Sequence, residues 1–298
     1  MNKQAEATHL GKVSKYPQQY DTNVLVRVPR IENRVQYNIP ENKHTPLPFV
    51  GYDTWNAYEV SFLTEKGLPV TGVLKIVYPC DNKFIVESKS LKLYLNSFNM
   101  SMFGQTKGEG INIVTRMIKE DLSSFLETHV RVHWFTDAHL TFQESIFDGY
   151  LSIEDEVDMD TLRFREFKEA PHIIKVEPTN ELHIVKIKCD LLRSNCKVTH
   201  QPDWGTLFLY ANSYSRLDLR SLAYYIVSFR NENHFHEEVV EMIYKRLYEK
   251  IQPEDLMVAA VYTRRGGIDI CPSRATSSDL LDNNLITPTA LCIKRFRQ

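Results

Sequence analysis

The sequence has no surplus of positive charge and no long apolar run. Its 36 lysines and arginines stand against 38 aspartates and glutamates, a formal net charge of -2. No excess cation is therefore available to neutralise the phosphates of a nucleic acid. No apolar run approaches the roughly 18 residues that span a bilayer, and the polar start MNKQAEATHLGK has no signal-peptide core. We expect a cytoplasmic protein that binds neither nucleic acid nor membrane.

Cysteines are few and show no metal-binding spacing. The five cysteines form no CxxC pair, and their odd number argues against a disulfide framework. They are Cys80, Cys189, Cys196, Cys271 and Cys292. This pattern predicts reduced thiols and no bound metal.

Hydrophobic periodicity predicts an α+β chain with two similar halves, in line with the two domains that 298 residues suggest. Each half is expected to contain two strands, then two helices, then a third strand. The strands are predicted at 57–63, 70–78, 130–135, 185–191, 206–211 and 256–262, and the helices at 90–98, 110–126, 219–229 and 237–251.

The predicted domain boundaries follow from this pattern. Residues 1–55 are polar and are expected to be an irregular lead-in with one short strand at 23–28. The first module is predicted at 56–150 and the second at 181–298. The linker between them, 151–180, contains the acidic stretch SIEDEVDMD, which is typical of a solvated segment.

Four blocks of residues recur in the same order, which indicates an internal duplication. Ser90 recurs as Ser221, Met117 as Met242, Val70 as Val198 and Phe135 as Tyr262, with offsets between 125 and 131. This alignment places Leu68 opposite Cys196, so neither half carries a full set of reactive residues. The sequence therefore predicts a site assembled from both halves.

Two segments carry candidate reactive groups. In SNCKVTHQPDWG, Cys196 and Asp203 are expected on a loop between two strands, where a thiol can face a pocket. Such a thiol needs a nearby cation or hydrogen-bond donor to become a nucleophile. In ESKSLKLY, Glu87 lies just before a predicted helix that Ser88 is expected to cap. Taken singly, the first segment is more typical of a buried cysteine, and the second is more typical of an ordinary helix start.

Two further segments suit ligand binding. In HFHEE, the two histidines invite a zinc interpretation, but two ligands do not make a site. A carboxylate in this segment suits the two adjacent donors of a guanine-like base. In YTRRGGIDI, two arginines and two glycines suit a phosphate group. Taken singly, these segments also fit a solvated helix start and a charged hairpin turn.

Together the segments ESKSLKLYL, SNCKVTHQPDWG, SFRNENHFHEE and YTRRGGIDI resemble the two-module 7-cyano-7-deazaguanine reductases of the QueF family, in order and approximate spacing. The resemblance covers most of residues 20–298. It implies two tandem tunnelling-fold modules, each an antiparallel sheet backed by two helices. It also implies a homodimer and a role in queuosine biosynthesis, a tRNA modification.

The resemblance assigns roles to individual residues. Cys196 would add to the nitrile carbon to give a covalent thioimide, and Asp203 would donate protons. The 7-deazaguanine ring would be bound by Val86, Glu87, Ser88, Phe235, His236 and Glu237. NADPH would be bound by Ser88, Lys89, Arg265 and Gly266. Reducing a nitrile to an amine takes four electrons, so two NADPH are expected per turnover.

Two other functions stay open at this stage. One is a zinc-dependent, GTP cyclohydrolase-like enzyme of the same fold, which would need a cysteine and histidine zinc set. The other is a purine-binding module without catalytic activity. A metal assay and an assay of NADPH oxidation distinguish these from a nitrile reductase.

Overall fold

The computed structural model describes residues 17–40, 45–136, 142–143 and 147–293. Its helices are α1 Ile31–Arg34, α2 Ser88–Asn96, α3 Lys107–Leu126, α4 Ile153–Glu156, α5 Leu219–Ser228, α6 His236–Ile251 and α7 Asn283–Ile286. Its strands are β1 Arg27–Pro29, β2 Val50–Leu63, β3 Pro69–Pro79, β4 Phe84–Val86, β5 Arg131–Phe135, β6 Phe142–Gln143, β7 Leu151–Ser152, β8 Val176–Cys189, β9 Arg193–Cys196, β10 Pro202–Leu217, β11 Asn233–His234, β12 Asp255–Tyr262, β13 Ile268–Ala275 and β14 Leu291–Cys292.

One large, mainly antiparallel sheet runs through both halves of the chain. Its strand order is β11-β9-β10-β12-β13-β2-β3-β5, and β8 also pairs with β10. The halves meet where β13 pairs antiparallel with β2, from Ile268 opposite Ala57 to Ala275 opposite Val50. The prediction of a mixed α+β fold with large antiparallel sheets is confirmed.

Three of the four long helices, α2, α3 and α5, begin at a polar cap, and each long helix buries one face against the sheet. The side chain of Thr106 accepts a hydrogen bond from the Glu109 amide, which satisfies a free donor at the start of α3. Along α3, Val114, Ile118 and Leu122 recur at helical spacing and are fully buried. These apolar stripes dictate which side of each helix faces the sheet.

Apolar residues cover both faces of the sheet. The helices of the two halves cover one face through two hydrophobic clusters. In β10, Leu207 lies in the helix-side cluster, whereas Phe208 points to the other face and stacks on Phe147. Leu281 and Leu285 complete this third cluster. Both strand faces are therefore buried. Within the described ranges, no helix is long and apolar enough to cross a membrane.

The two halves repeat a hydrogen-bond pattern at the first helix of each pair. The Val26 amide donates to the Ser90 hydroxyl at 3.0 Å, and the Lys175 amide donates to the Ser221 hydroxyl at 3.0 Å. Ser90 and Ser221 are the recurring serines of the sequence. The repeat thus includes the chain that leads into each helix pair, within the segments predicted as lead-in and linker.

Several sequence predictions differ from the structure. The early strand is β1 at Arg27–Pro29 rather than 23–28, and β2 begins at Val50 rather than 57. The acidic stretch forms α4, and Ile153 within it is fully buried, so the prediction of a wholly solvated segment is wrong there. A single apolar residue in a run of charged residues gives no periodic pattern, so the sequence does not indicate that Ile153 is buried.

The predicted alignment of β3 with its repeat, β10, was also wrong. Phe135 pairs with Val73, while its recurring partner Tyr262 pairs with Gly205, so this strand is offset by 205 − 73 = 132 residues, not 128. Leu68 is therefore not the counterpart of Cys196. Strands alternate with a period of two residues, so several registers match equally well by sequence.

Candidate active site

A cavity of about 240 Å³ opens where the two halves meet. The start of α2 forms its first-half wall. The loop after β9, the start of α6 and the turn between β12 and β13 form the rest. Its lining residues are Glu87, Ser88, Lys89, Lys92, Cys196, Thr199, Gln201, His236, Thr263, Arg265, Gly266, Ile268 and Ile270. The four motif segments of the sequence thus converge on one space.

A tight hairpin fixes Cys196 in the cavity wall. Its amide donates to the Gln201 carbonyl at 2.8 Å, and its carbonyl accepts from the His200 amide at 3.0 Å. His200 adopts a left-handed conformation with φ of 57°, which turns the chain back into β10. Cys196 ends β9 and Asp203 lies at the start of β10, so neither lies on the loop that the sequence predicted.

Asp203 lies directly behind the cavity wall and contacts two of its residues. Its Oδ2 is 3.3 Å from Nε2 of His236, and its Oδ1 is 3.0 Å from Nη1 of Arg265. Neither ring nitrogen of His236 makes a hydrogen bond within the described chain. The carboxyl, the imidazole and the cavity are therefore placed for proton exchange with a bound molecule.

Glu87, not Ser88, caps the first helix of the site. Its carboxylate accepts from the amides of Lys89 at 2.9 Å and Ser90 at 2.7 Å. Asp218 caps α5 in the same way, by accepting from the Arg220 amide. The prediction that Ser88 caps α2 is wrong because the carboxylate, one residue earlier, already holds the free amides. Ser88 and Lys89 instead occupy the first turn and face the cavity.

Glu237 is buried beside the cavity without a full set of partners. The residue is 1% exposed, and its Oε1 makes no hydrogen bond within the described chain. Burial, and then the charge of Asp53, raises the pKa of Glu237 to about 8, against the opposing effect of Arg30 and Arg274. A ligand with N–H donors is the partner that such a carboxyl lacks.

A buried ion network lies next to Glu237 and joins the two halves. Arg34 donates to Glu241 through Nε at 2.9 Å and Nη2 at 2.8 Å, and Arg274 donates to Glu241 through Nη2 at 2.9 Å. Arg274 and Arg30 both pair with Asp53. Burial disfavours the charge on Glu241, but Arg274 and Arg34 outweigh it and hold the pKa of Glu241 at about 2. This network anchors the helix that carries Glu237.

The rim of the cavity is basic. Arg265 and Gly266 contribute from the β12–β13 turn, where Gly266 has a left-handed φ of 61°. Lys92 lies across from this turn and pairs with Glu59 at 3.2 Å. Arg264 instead packs over the Tyr58 ring, 4.3 Å from its centroid. Of the two adjacent arginines, only Arg265 therefore lines the cavity.

The other predicted site residues lie beside the cavity rather than on its surface. Val86 is buried at the end of β4, directly before Glu87. Phe235 is the N-cap residue of α6, with the Lys197 ammonium 5.5 Å from its ring centroid. Lys92 was not predicted from the sequence, although it lies three residues after Lys89 on the same helix face. The ion network was not predicted either, because its members carry no local motif.

The two histidines of HFHEE face different carboxylates. His234 lies 3.1 Å from Glu232 and 3.5 Å from Glu238, whereas His236 lies beside Asp203. Across the described ranges, no cluster of three or more histidine, cysteine or acidic side chains is placed to hold a metal. The pair therefore does not converge on one point.

Comparison with known proteins identifies the family. Residues 16–134 match the model "Nitrile reductase, 7-cyano-7-deazaguanine-reductase N-term", and residues 202–279 match "QueF-like protein". Three relatives named NADPH-dependent 7-cyano-7-deazaguanine reductase come from Cupriavidus metallidurans, Rickettsia massiliae and Legionella pneumophila. The first is 40% identical over 90% of this chain and 93% of its own, and the second 40% over 90% and 92%. The third is 36% identical over 95% and 94%. The chain belongs to the QueF family of 7-cyano-7-deazaguanine reductases.

Proposed function

We propose that this chain is an NADPH-dependent nitrile reductase that converts 7-cyano-7-deazaguanine to 7-aminomethyl-7-deazaguanine for queuosine biosynthesis. The observation that carries the proposal is the convergence of Cys196, Glu87, His236 and Arg265 on one cavity. The names of the relatives add the substrate and the cofactor. A thiol, a purine-binding acid and a basic rim are the three parts that this reaction needs.

The ring of the substrate binds through its polar edge. A 7-deazaguanine presents a ring N–H and an exocyclic amine side by side, and a carboxylate accepts both at once. Glu237 offers a buried oxygen that lacks a hydrogen bond within the described chain. Leaving such an acceptor unpaired costs about 1–3 kcal/mol, which a bound donor recovers. His236 and Glu87 complete the walls around the ring.

Cys196 then provides the covalent step. Its S–H bond breaks, the sulfur adds to the nitrile carbon as one π bond of the nitrile breaks, and the nitrogen takes up one proton, so that the thioimide forms with no net change in protons. Asp203 supplies that proton, directly or through the His236 imidazole 3.3 Å away. After the first reduction the C–S bond breaks and returns the thiolate, and the remaining imine is reduced to the amine.

The residues of the rim suit an anionic dinucleotide. Ser88 and Lys89 at the start of α2 and Arg265 and Gly266 on the opposite turn border the cavity. A left-handed glycine exposes its amide to phosphate, and arginine and lysine add charge. These residues would hold NADPH, which supplies one hydride for each of the two reductions. Closing the site around the substrate keeps water from the imine.

The finer architecture is proposed on the same basis. The repeated elements support two tandem tunnelling-fold modules, with 56–150 and 181–298 as their cores. Among the described strands, β5 pairs only with β3, and β8 pairs on its outer side only with the two-residue β7, so both strands leave edge positions available. A second copy of the chain would cover such an edge in a homodimer. The composition supports a cytoplasmic location.

Loss of NADPH absorbance on adding 7-cyano-7-deazaguanine tests the function. Two NADPH should disappear for each amine formed, because nitrile reduction takes four electrons. Parallel samples with guanine in place of the nitrile control for background oxidation. A ratio near one, or no oxidation, would overturn the proposal, and metal-dependent hydrolysis of GTP would favour the cyclohydrolase alternative.

A further inference from the structure

A buried tyrosine supports the histidine of the cavity. Tyr262 ends β12 and is fully buried. Its ring stacks on the His236 imidazole, with centroids 3.8 Å apart and planes 12° apart. The ring also lies against Gly205, where an added Cβ would come within 3.0 Å of its Cδ1 atom. Gly205 thus leaves the space that the tyrosine fills, and the tyrosine fixes the plane of the histidine.

The hydroxyl of Tyr262 makes no hydrogen bond with the part of the chain that the structure describes. Burial, and then the charges of Asp203 and Glu237, raises the pKa of Tyr262 well above its usual value. The group is therefore a neutral hydrogen-bond donor close to two carboxyl groups of the site. Native proteins rarely bury such a donor unpaired, and a reason for each exception is expected.

The unpaired hydroxyl belongs to a group of unsatisfied polar atoms. Oε1 of Glu237 and both ring nitrogens of His236 are also buried without a hydrogen bond within the described ranges. His236 lines the cavity, Glu237 follows it in the chain, and Tyr262 stacks on its ring, so the four atoms belong to neighbouring side chains. Their number and mixed donor and acceptor character suit the polar edge of a purine-like ring, which carries an oxo group beside its N–H donors.

We infer that Tyr262 is a further positioning residue, which holds His236 against Asp203 through its ring and hydrogen-bonds the polar edge of the substrate through its hydroxyl. The inference rests on the proposed function. Two properties of the side chain are involved, and they are separable. Tyr262→Phe removes only the hydroxyl and keeps the stack, whereas Tyr262→Leu removes both.

The first test measures binding without chemistry. In a Cys196→Ala background, which forms no thioimide, titration calorimetry gives the dissociation constant of 7-cyano-7-deazaguanine. Tyr262→Phe should weaken binding about 3- to 10-fold, the usual effect of one lost hydrogen bond. Its melting temperature should equal or exceed that of the parent, because a buried unpaired hydroxyl is removed.

A matched control comes from the second half of the chain. Tyr225 is equally buried, but its hydroxyl donates to Glu169 at 3.1 Å and its ring packs against Phe229 rather than against a cavity residue. Tyr225→Phe should lower the melting temperature and leave nitrile binding unchanged. A general loosening of the fold would affect both variants in the same way, so it cannot produce opposite effects from the two tyrosine-to-phenylalanine changes.

Steady-state kinetics separate the ring from the hydroxyl. Tyr262→Phe should raise KM for the nitrile with kcat within about 2-fold of the parent, since the His236 stack remains. Tyr262→Leu should also lower kcat, at least about 10-fold, because His236 no longer lies fixed beside Asp203. Suppose that the unchanged enzyme binds and reduces the nitrile, and that Tyr262→Phe has the same dissociation constant and KM as the parent. The role of Tyr262 is then refuted, while the proposed function stands. If the unchanged enzyme binds no nitrile, the proposed function fails with it.

Discussion

Replacing Glu237 by glutamine should remove a pH-dependent part of the stability. In the folded protein the pKa of Glu237 is raised from 4.5 to about 8. Between these two values the folded state keeps a proton on Glu237 that the unfolded state has lost. The stabilisation from this carboxyl is therefore complete below about pH 4.5 and is lost as the pH rises through about 8. Between these limits each pH unit removes about 1.4 kcal/mol. Glu237→Gln resembles the protonated acid and does not titrate.

Denaturant unfolding at several pH values measures this contribution. From about pH 6 to about pH 7.5, the parent should lose roughly 2 kcal/mol relative to Glu237→Gln. Glu238→Gln is a matched control on the same helix, because the His234 ring and the Lys197 ammonium outweigh burial and lower the pKa of Glu238. That variant should be less stable than the parent by a constant amount over this range. Equal pH slopes for the parent and Glu237→Gln would refute the reasoning.

The same substitution should weaken substrate binding. A glutamine offers one acceptor and a competing donor where the ring edge presents two donors, so the bidentate pairing is lost. We expect nitrile binding to weaken roughly 10- to 100-fold. Because the carboxylate form of Glu237 is the one that accepts both donors, binding to the parent should release a proton near neutral pH. Calorimetry in two buffers of different ionisation enthalpy measures that proton, and its absence would contradict the assigned role.

Three further predictions concern the reacting groups and the rim. Incubation with nitrile but no NADPH should add the substrate's mass to the parent and to Cys189→Ala, but not to Cys196→Ala. An adduct on Cys196→Ala would show that Cys196 is not the nucleophile. Asp203→Asn should lower NADPH turnover by about 10²-fold or more, the usual scale for a positioned acid, and activity within a few-fold of the parent would exclude that role. Lys89→Ala should raise KM for NADPH more than KM for the nitrile, with Lys66→Ala as an exposed control; equal shifts in both constants would remove Lys89 from the cofactor site.

Local patterns in the sequence predicted the helices and several cavity residues. Apolar residues at helical spacing place α3 and α6 correctly, because burial of one helix face imposes that spacing directly. The four motifs contain Glu87, Cys196 and His236, and the structure brings these three residues to one cavity. Their role in catalysis stays a prediction.

Other features had no local signal. Arg34 and Glu241 are 207 residues apart, and each reads singly as an ordinary charged surface residue. The partner of a buried charge is set by the way β2, β13 and α6 pack, which periodicity does not specify. The predicted alignment of β3 with its repeat was wrong for a related reason, because an alternating pattern fits equally well after a shift of two residues. Tyr262 was noted only as a repeat of Phe135.

The antiparallel junction of β2 and β13 has a consequence for how many sites each chain carries. The recurring residues Met117 and Met242 align α3 with α6 at an offset of 125, which places Ile111 and Asn112 at the positions of His236 and Glu237. These two residues of α3 offer neither an imidazole nor a carboxylate, so they lack the acceptor that Glu237 would offer a ring. We therefore expect each polypeptide to bind a single equivalent of nitrile, at the cavity where the two halves meet.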